Sequence, residues 1–203
     1  MLGIETLLRQ SGINLIAGVD EAGRGACAGP LVVAAVILQY PSSPTLARVS
    51  DSKTLSEKVR EELFNLIARE ALAYSIIEIT SREIDTLGLH KTNLEGMRRA
   101  INSLDVTPEY VLTDGYPIQG LAAPSLAIWK GDRVAVSVSA ASILAKVYRD
   151  RIMVKMDATS PGYGFALHKG YITAFHSRAL ADLGPSEAHR KSFSNIASLI
   201  NTQ

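Results

Sequence analysis

With 203 residues, 47% of them apolar and 20% charged, the chain has the makeup of one folded domain, not of a disordered or fibrous protein. Its longest apolar run, residues 30–38, is too short to cross a bilayer, and residues 1–10 already carry Glu5 and Arg9 where a cleaved signal needs an apolar stretch. A net charge of +1 excludes a global polycation and a lone cysteine, Cys27, excludes an internal disulfide, so a soluble cytoplasmic protein with no membrane partner is expected.

Residues 15–20 and 31–38 are runs rich in Val and Ile, which predict two adjacent strands joined through the glycine-rich stretch 21–29. Residues 54–73 place Leu55, Val59, Leu63, Leu66 and Ile67 on one stripe and predict an amphipathic helix. A third strand is expected over 74–80, one helix over 84–102, a fourth strand over 110–113 after the break at Pro108, and a short fifth strand over 126–129. The strongest helical signal follows. Ala141, Leu144, Ala145, Tyr148, Ile152 and Met156 recur at steps of three and four, with Ser137 and Ser139 as candidate caps. Residues 160–164 end that helix, and 168–200 reads as two or three short helices punctuated by Gly184-Pro185. The order predicts an α/β fold, a mixed sheet flanked by helices. Residues 1–160 form its core, and 161–203 a small helical extension.

Charge is spread unevenly. Residues 130–191 hold ten Lys and Arg against five acids, net +5, while the remainder is net −4. A basic half suits an anionic partner, and a randomly uneven surface accounts for it equally well.

Acidic residues stand at three strand ends, where ligands gather in open α/β sheets. Asp20 and Glu21 close the first strand, Asp114 closes the fourth and precedes Gly115, and Asp132 follows Gly131 beyond the fifth. Any one of them alone reads as an ordinary turn residue. Brought together, they would repel unless a cation sat among them, and oxygen-only ligands select a hard ion, Mg²⁺ or Mn²⁺, over zinc. Four carboxylates suit two such ions about 3.5–4 Å apart, an arrangement that stabilises the attacking and leaving oxygens of a phosphodiester.

The pattern Gly23-x-Gly25-x-x-x-Gly29 is off by one from a dinucleotide fingerprint, and a strand follows where a helix N-terminus must cradle the pyrophosphate. Glycines beside a carboxylate pair can instead bring main-chain N–H groups close to a phosphate or a sugar hydroxyl. The stretch Gly18-Val19-Asp20-Glu21-Ala22-Gly23-Arg24-Gly25, with Gly29-Pro30-Leu31-Val32-Val33-Ala34-Ala35-Val36 after it, resembles the opening signature of bacterial ribonuclease HII, in the type 2 RNase H family. Later blocks resemble that family in the same order: residues 51–56, 110–115, 130–132, 139–150, 163–165, His168-Lys169-Gly170-Tyr171 and His189-Arg190-Lys191-Ser192-Phe193. The resemblance covers about residues 14–195. It implies an RNase H-like fold and a catalytic, metal-binding set at Asp20, Glu21, Asp114 and Asp132. It implies that the Gly23-Arg24-Gly25 backbone and Tyr171 recognise an RNA-to-DNA step. The implied substrates are RNA–DNA hybrid and duplex DNA holding embedded ribonucleotides, cut to 3′-hydroxyl and 5′-phosphate ends by a monomer.

The remaining candidates carry alternatives. Lys53 is a phosphate contact or part of a helix start, and Lys146 a phosphate contact or a solvated group. Asp150 supports the metal site from behind or pairs with Lys146 four residues back, and the structural role is expected. Lys169, Arg178, Arg190 and Lys191 are expected to hold duplex phosphates. His176 and His189 are expected at the surface and Trp129 in the core rather than stacked on a base. Cys27 has no His placed by sequence to activate it. Two rivals stand beside the nuclease reading. A resolvase or integrase would cut pure DNA and need no sugar-reading turn. A non-catalytic RNA-binding module would have no use for strand-end carboxylates and would show more than 6% aromatic residues.

Overall fold

The computed structural model describes residues 3–40, 46, 48–49 and 55–200. In chain order these form α1 (Ile4–Gln10), β1 (Ile16–Ala22), β2 (Leu31–Leu38), α2 (Glu57–Glu70), β3 (Ala71–Ile79), α3 (Ser81–Leu87), α4 (Leu89–Asn102), β4 (Tyr110–Asp114) and β5 (Ser125–Ile128). A 3-10 turn (Gly131–Arg133), α5 (Val136–Thr159), α6 (Phe165–His168), α7 (Ala174–Leu183) and α8 (Ser194–Ile200) complete them. The strands make one sheet in the order β3-β2-β1-β4-β5. β1, β2 and β3 pair antiparallel, whereas β4 and β5 run parallel to β1. The expected mixed sheet flanked by helices is the architecture found.

The run 31–38 shows why the sheet is covered twice. All eight residues of β2 are buried. Val32, Ala34, Val36 and Leu38 pack with α2 and α5 on one face, while Leu31, Val33, Ala35 and Ile37 pack with α3 and α4 on the other. A strand without polar alternation has no face to give to water, so helices on both sides are required. Among the described residues no helix is long and apolar enough to cross a membrane.

Three local expectations need correction. The helical stripe expected over 54–73 yields to strand pairing from Ala71 on, since Ala71 and Ala73 stand opposite Leu38 and Ile37; residue 54 lies outside the described residues. The single helix over 84–102 is two, because Gly88 holds φ +85°, which ends α3. That helix begins one turn earlier than expected, at a capping box in which Thr80 and Glu83 satisfy each other's backbone N–H groups. Neither Ser137 nor Ser139 caps α5. The N–H groups of Val136 and Ser137 donate to the carboxylate of Glu5 at 2.7 and 3.0 Å, while the Ser139 hydroxyl donates to the Val49 carbonyl. The cap comes from α1, 131 residues away in sequence, beyond what local pattern can show.

The last three helices gather on Cys27, Ala28 and Met153 through Tyr163, Phe165, Leu180 and Ile196. Backbone bonds bind them to the β1–β2 connection: Cys27 N–H donates to the Gly170 carbonyl at 3.0 Å, and Arg190 N–H to the Cys27 carbonyl at 2.8 Å. The helices past residue 160 are therefore fixed to the turn that follows Asp20 and Glu21.

Candidate active site

Topology brings the acidic residues to one end of the sheet. β1 and β4 are parallel neighbours in register to Val19 and Thr113, so Asp20 and Asp114 are the next residues on adjoining strands. Asp114 Oδ1 accepts the N–H of Gly131 at 2.8 Å, which ties the 3-10 turn carrying buried Asp132 to the end of β4. Asp20 Oδ1 accepts the N–H of Glu21 at 2.7 Å.

Burial of like charges sets the electrostatics. Burial pushes the Asp20 carboxyl well above its ordinary range, and the Glu21 and Asp114 carboxylates push it further, against a smaller opposing effect of Ser142. Glu21 is raised to about 7, first by burial; Arg24 pulls against this, Asp114 adds to it, and Asn93 opposes it. Glu21 Oε2 is nevertheless a buried oxygen with no hydrogen bond, as are both amide atoms of Asn93. Asn93 therefore acts on Glu21 by proximity rather than through a closed bond. Among the described residues no three His, Cys, Asp or Glu side chains stand as a ready-made shell around one ion.

Beside these carboxylates lies a cleft of about 320 Å³, lined among others by Glu21, Gly23, Arg24, Gly25, Lys146 and Tyr171. Six residues singled out from the sequence thus share one cavity wall. Gly23 holds φ +86°, and a Cβ there would fall 1.8 Å from Arg149 Nε, so only glycine lets the turn pass over that side chain. The Tyr171 ring is the nearest neighbour of Gly25, 3.8 Å from where a Cβ would stand. Arg24 lies over the Tyr116 ring at 4.6 Å. Lys146 Nζ donates to Asp150 Oδ1 at 2.7 Å, the pairing that the four-residue spacing allowed. Lys53 lies outside the described residues. Sequence reasoning passed over Ser142 and Asn93. The available signal was a polar side chain in line with others on a helix: Ser142, half-buried, follows Ser139 by three residues and precedes Lys146 by four, whereas Asn93 is fully buried on α4.

Several expectations fail here for physical reasons. Arg190 is not a phosphate ligand: it is fully buried, and its guanidinium donates to the carbonyls of Gly29 and Arg24. His176 and His189 are buried, not superficial, and their Nε2 atoms meet at 3.0 Å. Burial first, then the neighbouring His176, lowers His189 to about 4. Cys27 does have a histidine nearby, with His176 Nδ1 3.8 Å from its Sγ. Burial raises the thiol's pKa, so the thiolate a nucleophile needs is disfavoured. Trp129 is outside the core, 81% exposed.

A mixed five-stranded sheet covered by helices on both faces, with acidic residues at neighbouring strand ends, places the molecule among the RNase H-like nucleases. The family model for ribonuclease HII matches residues 17–196. A ribonuclease HII of Rhodococcus opacus (strain B4) is 56% identical over 198 residues, covering 98% of this chain and 88% of that protein. The crystal structure of ribonuclease H2 from Pyrococcus horikoshii OT3 aligns with a TM-score of 0.79 at 28% identity, over 92% of this chain and 97% of that one. Bst-RNase HIII, in a structure with Mn²⁺, shares the fold at a TM-score of 0.75 and 19% identity, over 98% and 73% of the chains. The chain belongs to the ribonuclease HII family. It is a ribonuclease H hydrolase, a metal-dependent endonuclease with activity on RNA–DNA.

Proposed function

We propose that the enzyme hydrolyses the RNA strand of RNA–DNA hybrids and also cuts duplex DNA on the 5′ side of an embedded ribonucleotide, leaving 3′-hydroxyl and 5′-phosphate ends. The observation that carries this reading is the single cleft in which a strand-end carboxylate, a two-glycine turn and Tyr171 meet. Asp20, Glu21, Asp114 and Asp132 would hold two divalent ions, Mg²⁺ or Mn²⁺. The chemistry of this donor set fits: Glu21 Oε2 is buried without a hydrogen bond, and burial leaves two neighbouring carboxyls with a raised proton affinity that a cation reverses. A closed protein cage is not needed, because Mg²⁺ is commonly held by one or two carboxylates together with water and phosphate oxygens. Bound there, such ions supply activation of water and charge relief at the leaving 3′-oxygen.

The chain's own residues choose the position of the cut. A ribose 2′-hydroxyl both donates and accepts hydrogen bonds. The Gly23-Arg24-Gly25 backbone can approach it because Gly25 presents no side chain. The Tyr171 ring, beside Gly25, fills the space that the next 2′-hydroxyl would need and so favours deoxyribose there. Lys146 and Lys53 would contact phosphates near the cut. Lys169, Arg178 and Lys191, in residues 161–203, would hold the flanking duplex. The enzyme would act as a monomer in the cytoplasm.

A strand-resolved cleavage map on duplex DNA carrying one ribonucleotide, with and without Mg²⁺, tests this. The expected product is a single cut 5′ of the ribonucleotide, only with metal. Equal cutting of an all-DNA duplex, or cutting without metal, would contradict it.

A further inference from the structure

The chain's single tryptophan stands in water beside the reaction centre. An indole usually contributes a large buried apolar area, so one that is 81% exposed does nothing for the core. Its position is nonetheless fixed. Ile128, just before it, pairs with Asp114 across β5 and β4, and the Gly115 N–H donates to the Ile128 carbonyl at 2.9 Å. Gly131, two residues after it, donates its N–H to Asp114 Oδ1 at 2.8 Å. Trp129 is therefore held between two residues tied to the end of β4, three positions before Asp132. Lys130 adopts a left-handed φ of +56°, a region sparsely populated by residues with side chains. Lys130 and Arg133 are exposed, and neither makes an ion pair with a described residue. An exposed aromatic ring followed by two exposed cations, neither paired with a described acid, is the chemistry that packs on a sugar of a duplex while the cations neutralise phosphates.

We propose that Trp129, with Lys130 and Arg133, grips the substrate flank that lies on the far side of the scissile phosphate from the RNA-to-DNA step. Sheet order supplies the direction. The Gly23–Gly25 turn leads from β1 towards β2, with Tyr171 beside it, whereas Trp129 lies past β4 at the end of β5. The strand-end acids stand between them, so a duplex crossing the acids meets Tyr171 on one side and Trp129 on the other. The assignment of sides rests on the reading of Tyr171 given above. Trp129 acts as a positioning residue, outside the group that performs the reaction.

Because Trp129 is the only tryptophan, emission excited at the red edge, beyond the absorption of the seven tyrosines, reports on it alone. With Ca²⁺ replacing Mg²⁺ to hold cleavage back, a junction-bearing RNA–DNA duplex labelled at its far end is titrated onto the protein. Anisotropy reads binding, and tryptophan emission reads contact. Emission should change with a duplex extending past the scissile phosphate on the Trp129 side and stay constant with one truncated there. Trp129→Ala should raise KM about fivefold on the extended duplex, the scale of one aromatic packing contact, and move kcat by less than about twofold. It should not affect the truncated duplex, and Trp129→Phe should fall between. Binding without any emission change overturns the Trp129 assignment and leaves the nuclease reading intact. Absence of binding overturns both. An emission change that follows protein concentration without nucleic acid would make the patch a protein interface, which also overturns it.

Discussion

Two clusters of buried charge lie on either side of the Gly23 turn, and the protein treats them oppositely. Arg149 and Arg190 are almost wholly buried, and their guanidinium groups donate to the carbonyls of Pro30, Lys169, Ala28, Gly29 and Arg24. Asp20 is buried and Glu21 half-buried beside a third carboxylate, and burial together with Asp114 raises their proton affinity. A buried charge is tolerable when its hydrogen-bonding capacity is met and costly otherwise. The arginine cluster meets that condition through its carbonyl partners and fastens the C-terminal helices to the turn, although burial and then the neighbouring Arg149 lower Arg190 to about 9. The carboxylate cluster departs from it, as expected of a site whose counter-charge arrives with its ligand. Burial of charge with its bonds met and burial of charge left open can thus be told apart within one molecule.

Replacing Asp114 should have the largest effect. Asp114→Asn keeps shape and removes charge, so turnover should fall by about three orders of magnitude or more while hybrid binding persists. Its metal-free melting temperature should match or exceed that of the wild type; a lower value would mean that the acids serve the fold. Arg190→Met attacks the other cluster. It strands the Gly29 and Arg24 carbonyls and should cost about 3 kcal/mol in urea unfolding. A loss below about 1 kcal/mol would show that the arginine cluster is not what fastens the helices.

Tyr171 joins the two regions, and its substitution sharpens their division of labour. Tyr171→Ala should lose about tenfold in kcat/KM on a single embedded ribonucleotide, the scale of one aromatic contact with nucleic acid, and lose less on continuous hybrid. Tyr171→Phe should retain more, because ring packing is the proposed discriminator. Equal rates for both variants at the wild-type cut site would move junction recognition elsewhere.

The smallest expected effect is a pair of opposed pH slopes. Glu21 is raised to about 7 in the fold, so its contribution to stability is present at low pH and is lost as pH rises from the ordinary carboxylate range to about 7. His189 is lowered to about 4, so its contribution is present above the ordinary histidine range and is lost as pH falls towards 4. Chemical denaturation across this range, without metal, should show Glu21→Gln with a shallower first slope, because Asp20 still contributes to it, and an unchanged second.

How much of this the sequence disclosed depends on the range of the interaction. The β2 run, the α5 stripe and the acids at strand ends rest on local periodicity, and all three stand where expected. The Glu5 cap on α5 and the burial of Arg190 and His189 depend on partners roughly 130 or more residues away or on tertiary enclosure, to which local pattern is blind. Trp129 failed for the converse reason. Hydrophobic type predicts the interior on average, and an exposed indole is visible only once the strand end is placed. Ser142 and Asn93 shared the limits of both cases: each is an ordinary polar residue until its helix is laid against β1.

Calorimetric titration of Mn²⁺ near pH 6.5, in buffers of different ionisation enthalpy, tests whether the strand-end carboxylates await a divalent cation. Mn²⁺ should bind with release of protons from the acid cluster, a release that shrinks in Glu21→Gln, and binding should be weak or absent in Asp114→Asn. Mn²⁺ binding that releases no protons and is unchanged in both variants would contradict it.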